Sequence, residues 1–313
     1  MTEDELIAAI QALCVCHPER RRRTILGIGD DAAVWQPSRS HRSVISSDVL
    51  VEGVHFRRDL LSLEESGWRA MAANLSDLAA MGARPVLATV ALAVPAAQAS
   101  HEILDVYRGI AACAHRYDIE IAGGDLSRSE AIAIAITVVG EVRATGYKTR
   151  YGGRPGDVLA VTGELGAARA GLLGEEQGQE AFRRPQPRLA EGRFLGASVN
   201  VDAMMDCSDG LSTDVRRLCV ASGCGAILDT IPVAAAARVA AARTGDDPDR
   251  FVLGAGEDFE LIVAVRPRAF PHVSGAFGKR FARPLQRIGT LRREPGIEWK
   301  GAPLESSGWD HFG

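Results

Sequence analysis

Lysine is almost missing from this chain. Only Lys148, Lys279 and Lys300 occur, so 33 of the 36 basic residues are arginine, a bias that reflects genome composition and carries no mechanistic weight. Aromatic residues are also few, at 5%, and no apolar run reaches the roughly 18 residues that a bilayer-spanning helix needs. The basic excess that steers proteins to nucleic acid or anionic membranes is absent, since 40 acidic residues against 36 basic ones leave a net charge of -4. No nucleic-acid or membrane partner is therefore expected. The opening Met1-Thr2-Glu3-Asp4-Glu5 is acidic where a secretory signal is basic, so the expected compartment is the cytoplasm. Six cysteines (Cys14, Cys16, Cys113, Cys207, Cys219, Cys224) lack the paired spacing of a zinc site or of a disulfide framework, and are expected as reduced core residues.

Nucleotide-binding signatures are missing as well. There is no GxxxxGK[ST] and hence no Walker lysine, and neither HRDxxxxN nor DFG occurs, which excludes the P-loop and protein-kinase architectures. Gly27-Ile28-Gly29 lacks the third glycine of a dinucleotide fingerprint.

What is present is a globular composition: 313 residues, 46% of them hydrophobic, enough for about two domains. The pattern predicts helices over 3–15, 64–81 and 98–116, and strands over 43–50, 86–94, 119–122 and 131–142. Residues 131–139 alternate alanine with large apolar side chains, predicting a strand with one flat face suited to close packing. A polar, turn-rich stretch over 143–156 marks a boundary, giving expected domains of 1–146 and 147–313. The second opens with a strand over 157–162. Further strands are expected over 202–206, 225–230, 258–266 and 284–291, and helices over 211–222 and 234–242. The fold class expected is α/β, of the α+β type.

Chemistry is suggested by acidic residues repeatedly set beside Gly, Ser or another acid at the ends of apolar segments. These are Gly29-Asp30-Asp31, Ser46-Ser47-Asp48, Ser76-Asp77, Gly123-Gly124-Asp125 and Asp206-Cys207-Ser208-Asp209-Gly210. One such site alone reads as a turn or a helix cap. Five of them, carried on strand ends, are expected to converge at one sheet edge, where repelling carboxylates call for cations. Oxygen donors without a His/Cys cluster favour Mg²⁺, which shares its shell with water and substrate phosphates, and that points to a nucleoside triphosphate. Gly123-Gly124 and the Gly163–Gly166 turn either cradle phosphate or close tight turns, and the sequence leaves both open.

Several motifs in order resemble the thiamine-monophosphate kinase family, of the aminoimidazole-ribonucleotide-synthetase-like (PurM-like) ATP-binding superfamily. They are GIGDDAAV at 27–34, SSDVLVEGVHF at 46–56, NLSDLAAMGARP at 74–85, IAGGD at 121–125, DCSDGLSTD at 206–214, GEDFEL at 256–261 and WDHF at 309–312. The resemblance implies a two-domain homodimer whose N-terminal sheets pair into a barrel, with ATP in a cleft between the domains. It implies that Asp31, Ser46, Ser47, Asp48, Asp77, Asp125, Asp206 and Asp209 hold several Mg²⁺ ions, and that turnover depends on Asp48, Asp125 and Asp209. Gly124, Arg150 and Ser208 would contact ATP, and His55, Glu257 and Trp309 the thiamine monophosphate. A carboxylate and an aromatic face suit a cationic thiazolium. Cys207 stands where the family more often has leucine, and Ala255 where glycine is usual, which would strain the loop if that position has positive φ. Rival readings are another ATP-using enzyme of the superfamily (a purine cyclo-ligase, a selenophosphate synthetase or a hydrogenase-maturation protein) and a nucleotide sensor without turnover. The chain has no early Cys-Lys pair and no C-terminal cysteine, and its intact acids argue against a mere sensor.

Overall fold

Each of the long periodic segments in the first half becomes a helix or strand whose apolar face finds a partner in the same region. The computed structural model describes residues 1–14, 24–26, 28, 34–143, 146–305 and 307–308. Within these the chain forms two units, one of Met1–Leu78 with Arg84–Thr145, the other of Ala79–Ala83 with Gly146–Gly313.

The first unit contains α1 (Glu3–Cys14), β1 (Thr24–Leu26), β2 (Val34–Trp35), β3 (His41–Val51), α2 (Leu63–Ala80), β4 (Arg84–Val94), α3 (Ser100–Tyr117), β5 (Glu120–Arg128) and β6 (Ala133–Arg143). Four of its strands form a sheet in the order β3-β6-β4-β5, with β4 and β5 parallel and the other pairs antiparallel. The alternation in β6 works as its sequence dictates. Ile134, Ile136 and Val138 are fully buried, whereas Ala133, Ala135 and Thr137 on the other face are only partly covered. α2 and α3 cross at two mid-helix glycines, because a Cβ on Gly67 would strike the Val106 carbonyl and one on Gly109 the Glu64 carbonyl. Such contact between backbones outweighs the helix cost of glycine, about 1 kcal/mol relative to alanine.

The acids do not all stand at strand ends as expected. Asp48 lies within β3, Asp77 on α2, and Asp125 within β5, which runs on through Gly123 and Gly124 to Arg128. Glycine and aspartate are poor strand formers, and pairing with β4 overrides that preference.

The second unit contains β7 (Val158–Val161), α4 (Ala167–Leu172), α5 (Gln179–Arg183), α6 (Leu189–Gly196), β8 (Val201–Cys207), α7 (Leu211–Ser222), β9 (Gly225–Leu228), α8 (Ala235–Thr244), α9 (Pro248–Leu253), β10 (Glu260–Val265), α10 (Phe270–Phe281), β11 (Gln286–Arg292), β12 (Gly296–Trp299) and β13 (Ala302–Pro303). Its seven-stranded sheet has the order β13-β12-β9-β11-β7-β10-β8. β10 is buried along its whole length and reads accordingly as a continuous apolar run after Glu260. Helix α10 and strands β12 and β13 are elements the sequence pattern did not single out. Cys14, Cys113, Cys207, Cys219 and Cys224 are buried free thiols, as expected, and Cys16 lies outside the described residues. No helix among the described residues is long and apolar enough to cross a membrane.

Candidate active site

In the first unit, β3 faces α2 through Ser46 and Asp48. Ser46 Oγ donates to Asp77 Oδ2 at 2.5 Å, and the Asp48 N–H donates to Asn74 Oδ1 at 3.1 Å. Asn74 is fully buried and in turn donates from Nδ2 to the Ala70 carbonyl at 2.9 Å, so its amide is oriented. Ser47, one residue on, points to the other face by strand alternation. There its hydroxyl lies 2.9 Å from Thr137 Oγ1 on β6. Ser46, Asp48 and Asp77 are thus brought together, and Ser47 is directed away from them.

Asp125 is exposed on β5, where Ser127 Oγ donates to its Oδ2 at 2.5 Å. β3 and β5 are the two edges of the sheet, and the row Asp48, Ile136, Val90, Gly124 runs across it. Three strand spacings separate the edges, about 14 Å. One copy of this unit therefore does not gather Asp125 with Asp48. Gly124 owes its identity to β4, since a Cβ there would land on the Val90 carbonyl oxygen, whereas one on Gly123 meets nothing within 4 Å.

His55 follows β3 and accepts the Val51 N–H on Nδ1 at 3.0 Å. An accepting Nδ1 leaves Nε2 as the protonated nitrogen of the neutral ring, a donor suited to an anion. Its loop is held by Arg58, which pairs with Glu52 at 2.7 Å and donates to Gln98 Oε1 at 2.7 Å.

In the second unit, Asp206 is buried near the end of β8, and Ser208 and Asp209 follow on the turn into α7. The residue that shapes this turn is Asp214, which was not singled out from the sequence. Its fully buried side chain accepts the N–H groups of Ser208 and Asp209, each at 3.0 Å on Oδ2, and Arg217 at 3.1 Å on Oδ1. Burial pushes the Asp214 carboxyl up to about 6. Arg217 also pairs with Asp209 through Oδ2. An i, i+5 acid after a helix-opening turn is the available sequence signal, and it reads equally well as an ordinary helix residue.

Glu257 joins the same turn, donating its N–H to the Ser208 carbonyl at 2.7 Å. The positive φ expected of the glycine position is found elsewhere. Ala255 does not adopt it, and the left-handed residues are Glu257 at 66° and Phe259 at 50°. Strain of order 1–3 kcal/mol per residue is therefore stored in the loop that carries Glu257. Asp258 between them accepts the N–H of Gly166 at 2.7 Å and is bonded by that of Ala168. The acceptor at the Gly163–Gly166 turn is thus an internal carboxyl group, which burial pushes up to about 7. This decides the alternatives left open there in favour of a structural turn.

Arg150 is exposed, and its carbonyl accepts the Ser222 hydroxyl at 2.8 Å. Ser222 ends α7 whereas the Ser208–Asp209 turn precedes it, so the two backbone positions lie about 16 Å apart along the helix. Asp31 and Trp309 lie outside the described residues.

The donors present are carboxylate and hydroxyl oxygens, the chemistry that Mg²⁺ prefers. Among the described residues no group of three or more His, Cys, Asp or Glu stands ready as a metal cage. Pairs such as Ser46 with Asp77 fit an ion that takes one or two protein oxygens and completes its shell with water and phosphate.

A four-stranded α/β unit followed by a larger mixed-sheet unit is the two-domain arrangement of the AIR synthase related proteins. The model of the N-terminal domain of AIR synthase related proteins matches residues 29–142, and that of their C-terminal domain residues 154–300. The chain is 40% identical over 285 residues to a thiamine-monophosphate kinase of Rhodopirellula baltica, covering 88% of this chain and 85% of the relative. The crystal structure of thiamine-monophosphate kinase from Stenotrophomonas maltophilia superposes with a TM-score of 0.85 at 31% identity, covering 97% of this chain and 98% of the other. A structure of AaThiL complexed with AMPPCP and TMP gives a TM-score of 0.78 at 29% identity, covering 91% and 92%. The chain belongs to the thiamine-monophosphate kinases of the AIR synthase related family.

Proposed function

We propose that the protein transfers the terminal phosphoryl group of ATP to the phosphate of thiamine monophosphate, giving thiamine diphosphate and ADP. The observation that supports this reading is similarity over most of the chain to thiamine-monophosphate kinases, together with the likeness to AaThiL complexed with AMPPCP and TMP. A phosphate monoester, with a second pKa near about 6, is already an anion at neutral pH, so the acceptor needs no strong base. What the site must supply is in-line positioning and neutralisation of charge. Bound Mg²⁺ would supply that neutralisation.

Asp31, Ser46, Ser47, Asp48, Asp77, Asp125, Asp206 and Asp209 are the proposed metal-holding residues, with Asp48, Asp125 and Asp209 the ones turnover depends on. Gly124, Arg150 and Ser208 bind the nucleotide. The Nε2–H of His55 donates to the substrate phosphate, while Glu257 and Trp309 receive the thiamine end. The domains are assigned as 1–146 for metal, nucleotide and dimerisation, and 147–313 for completing the site.

A homodimer is part of the proposal. β3 is an unpaired edge of eleven residues with Ile45 66% and Val49 46% exposed, a surface that monomers rarely leave open. Pairing the N-terminal sheets of two copies into a barrel would remove such edges. The proposed compartment is the cytoplasm, in keeping with five buried free thiols. Incubation with Mg²⁺-ATP and thiamine monophosphate, with unphosphorylated thiamine as control, should yield thiamine diphosphate by mass spectrometry from the monophosphate alone. Absence of that product overturns the reading.

A further inference from the structure

Asp125 and Asp209 stand in opposite electrostatic surroundings, although both belong to the proposed metal-holding set. Asp125 accepts a neutral hydroxyl, from Ser127 at 2.5 Å. Asp209 accepts a full positive charge, because Nη1 of Arg217 donates to its Oδ2. The same nitrogen donates to Asp214 Oδ1 at 3.1 Å, three residues back on α7. Arg217 is therefore no wandering surface side chain. The fully buried Asp214 carboxyl anchors it in the first turn of the helix, and also accepts the Asp209 N–H at 3.0 Å. Backbone and side chain of Asp209 are thus fixed by two interlocked partners.

A guanidinium stays protonated at any working pH. A divalent ion that takes Asp209 Oδ2 must displace this charge or sit beside it, and like charges a few ångströms apart repel. An ion that arrives on a triphosphate brings compensating negative charge, together with phosphate oxygens that suit arginine. A bare hydrated ion brings neither. We propose that Arg217 is a specificity-determining residue, a tethered counter-charge that closes Asp209 to free divalent cations and admits an ion there only in company with the nucleotide. Asp125, which holds a hydroxyl instead, is open to the free ion. The inference rests on the proposed metal role of Asp209 within the kinase reading, and it assigns Arg217 no contact with thiamine monophosphate.

The test titrates Mn²⁺, which takes the same oxygen donors as Mg²⁺, into the full-length protein and reads the free ion by electron paramagnetic resonance. It compares wild type with Arg217→Gln, Arg217→Lys, Asp209→Asn and the double variant Arg217→Gln/Asp209→Asn. With Mn²⁺ alone, Arg217→Gln should bind one ion about tenfold more tightly than wild type does. The pair is partly exposed, with side chains 42% and 27% accessible, so solvent screening holds the gain well below the roughly thousandfold that an unscreened charge at 4 Å would give. Arg217→Lys keeps the charge and should match wild type, and the double variant should lose the gain. With a non-hydrolysable ATP analogue present, wild type and Arg217→Gln should come within about twofold of each other, because the phosphates offset the arginine.

Arg217→Gln binding no more tightly than wild type overturns the proposal. So does a gain shared by Arg217→Lys, a gain that survives in the double variant, or one undiminished by the analogue. If Asp209→Asn takes up Mn²⁺ with the analogue as wild type does, Asp209 holds no ion, and its metal role falls together with the inference. Normal metal and nucleotide uptake by an enzyme that makes no thiamine diphosphate removes the kinase reading and leaves the counter-charge standing. Glutamine can still donate to Asp214, and thermal melts check that the turn is intact. Arg217→Met, which keeps the stem and removes the charge, is a second variant with the same expected gain.

Discussion

The two units present their oxygen donors in opposite ways. In the first, the donors are spread over a sheet and a helix. Ser46, Asp48 and Asp77 cluster where β3 meets α2, and Asp125 stands exposed on the far edge strand with Ser127 donating to its carboxylate. In the second, Ser208, Asp209 and Glu257 are tied together through main-chain hydrogen bonds and braced from beneath by Asp214. The first unit carries exposed carboxylates at Asp48 and Asp125. The second has built its loop around a carboxylate that is structural. Charge alone therefore does not tell a ligand from a brace: exposure and the number of N–H groups already satisfied do.

That contrast can be broken by substitution. The largest effect belongs to Asp48→Asn and Asp125→Asn, which should each lower kcat on the order of a thousandfold, about 4 kcal/mol, with melting temperatures close to wild type. Both side chains are exposed, so a large stability loss, or undiminished turnover, would place these acids in the structural class instead. Asp214→Ala should behave in the opposite sense. It leaves the N–H groups of Ser208 and Asp209 without their acceptor and Arg217 with Asp209 alone of its two carboxylates, and should cost about 3 kcal/mol in denaturant unfolding, alongside weaker nucleotide binding by calorimetry.

A sharper comparison uses neighbouring glycines of β5. Gly124→Ala must push β4 aside and should destabilise by about 2 kcal/mol, whereas Gly123→Ala faces open space and should cost well under 1 kcal/mol. Equal melting temperatures for the two would refute the close approach to Val90. A further effect is one of pH. Asp258 has its folded pKa raised to about 7 from an ordinary 3.8, so the protonated form is favoured by folding, and stability falls as pH rises between those values. Asp258→Asn should abolish that fall, flattening the unfolding free energy between pH 5 and 8 by on the order of 2 kcal/mol relative to wild type.

Much of this arrangement was legible in the order of residues. The alanine-isoleucine alternation of 131–139 announced a two-faced strand, and DCSDGLSTD announced a strand, a turn and a helix. Local periodicity suffices for both. Other features were not legible for a physical reason. Asp125 looked like the end of a strand because glycine and aspartate resist strand geometry, yet the pairing partner that overrides them is some thirty residues earlier in the chain. Glycines 163 and 166 left a phosphate cradle and a tight turn equally open, since nothing local reveals that Asp258 will accept the Gly166 N–H.

By itself, the sequence determined the family, the two-domain division into α/β units and the oxygen character of the site, because motifs, hydrophobic period and donor type are properties of the chain. Tertiary structure alone decided which carboxylates are buried braces and which stay open, where left-handed backbone falls, and which segments share a junction. Those outcomes depend on groups far apart in the chain competing for the same hydrogen bonds and the same space, and such competition exists only once the chain has folded.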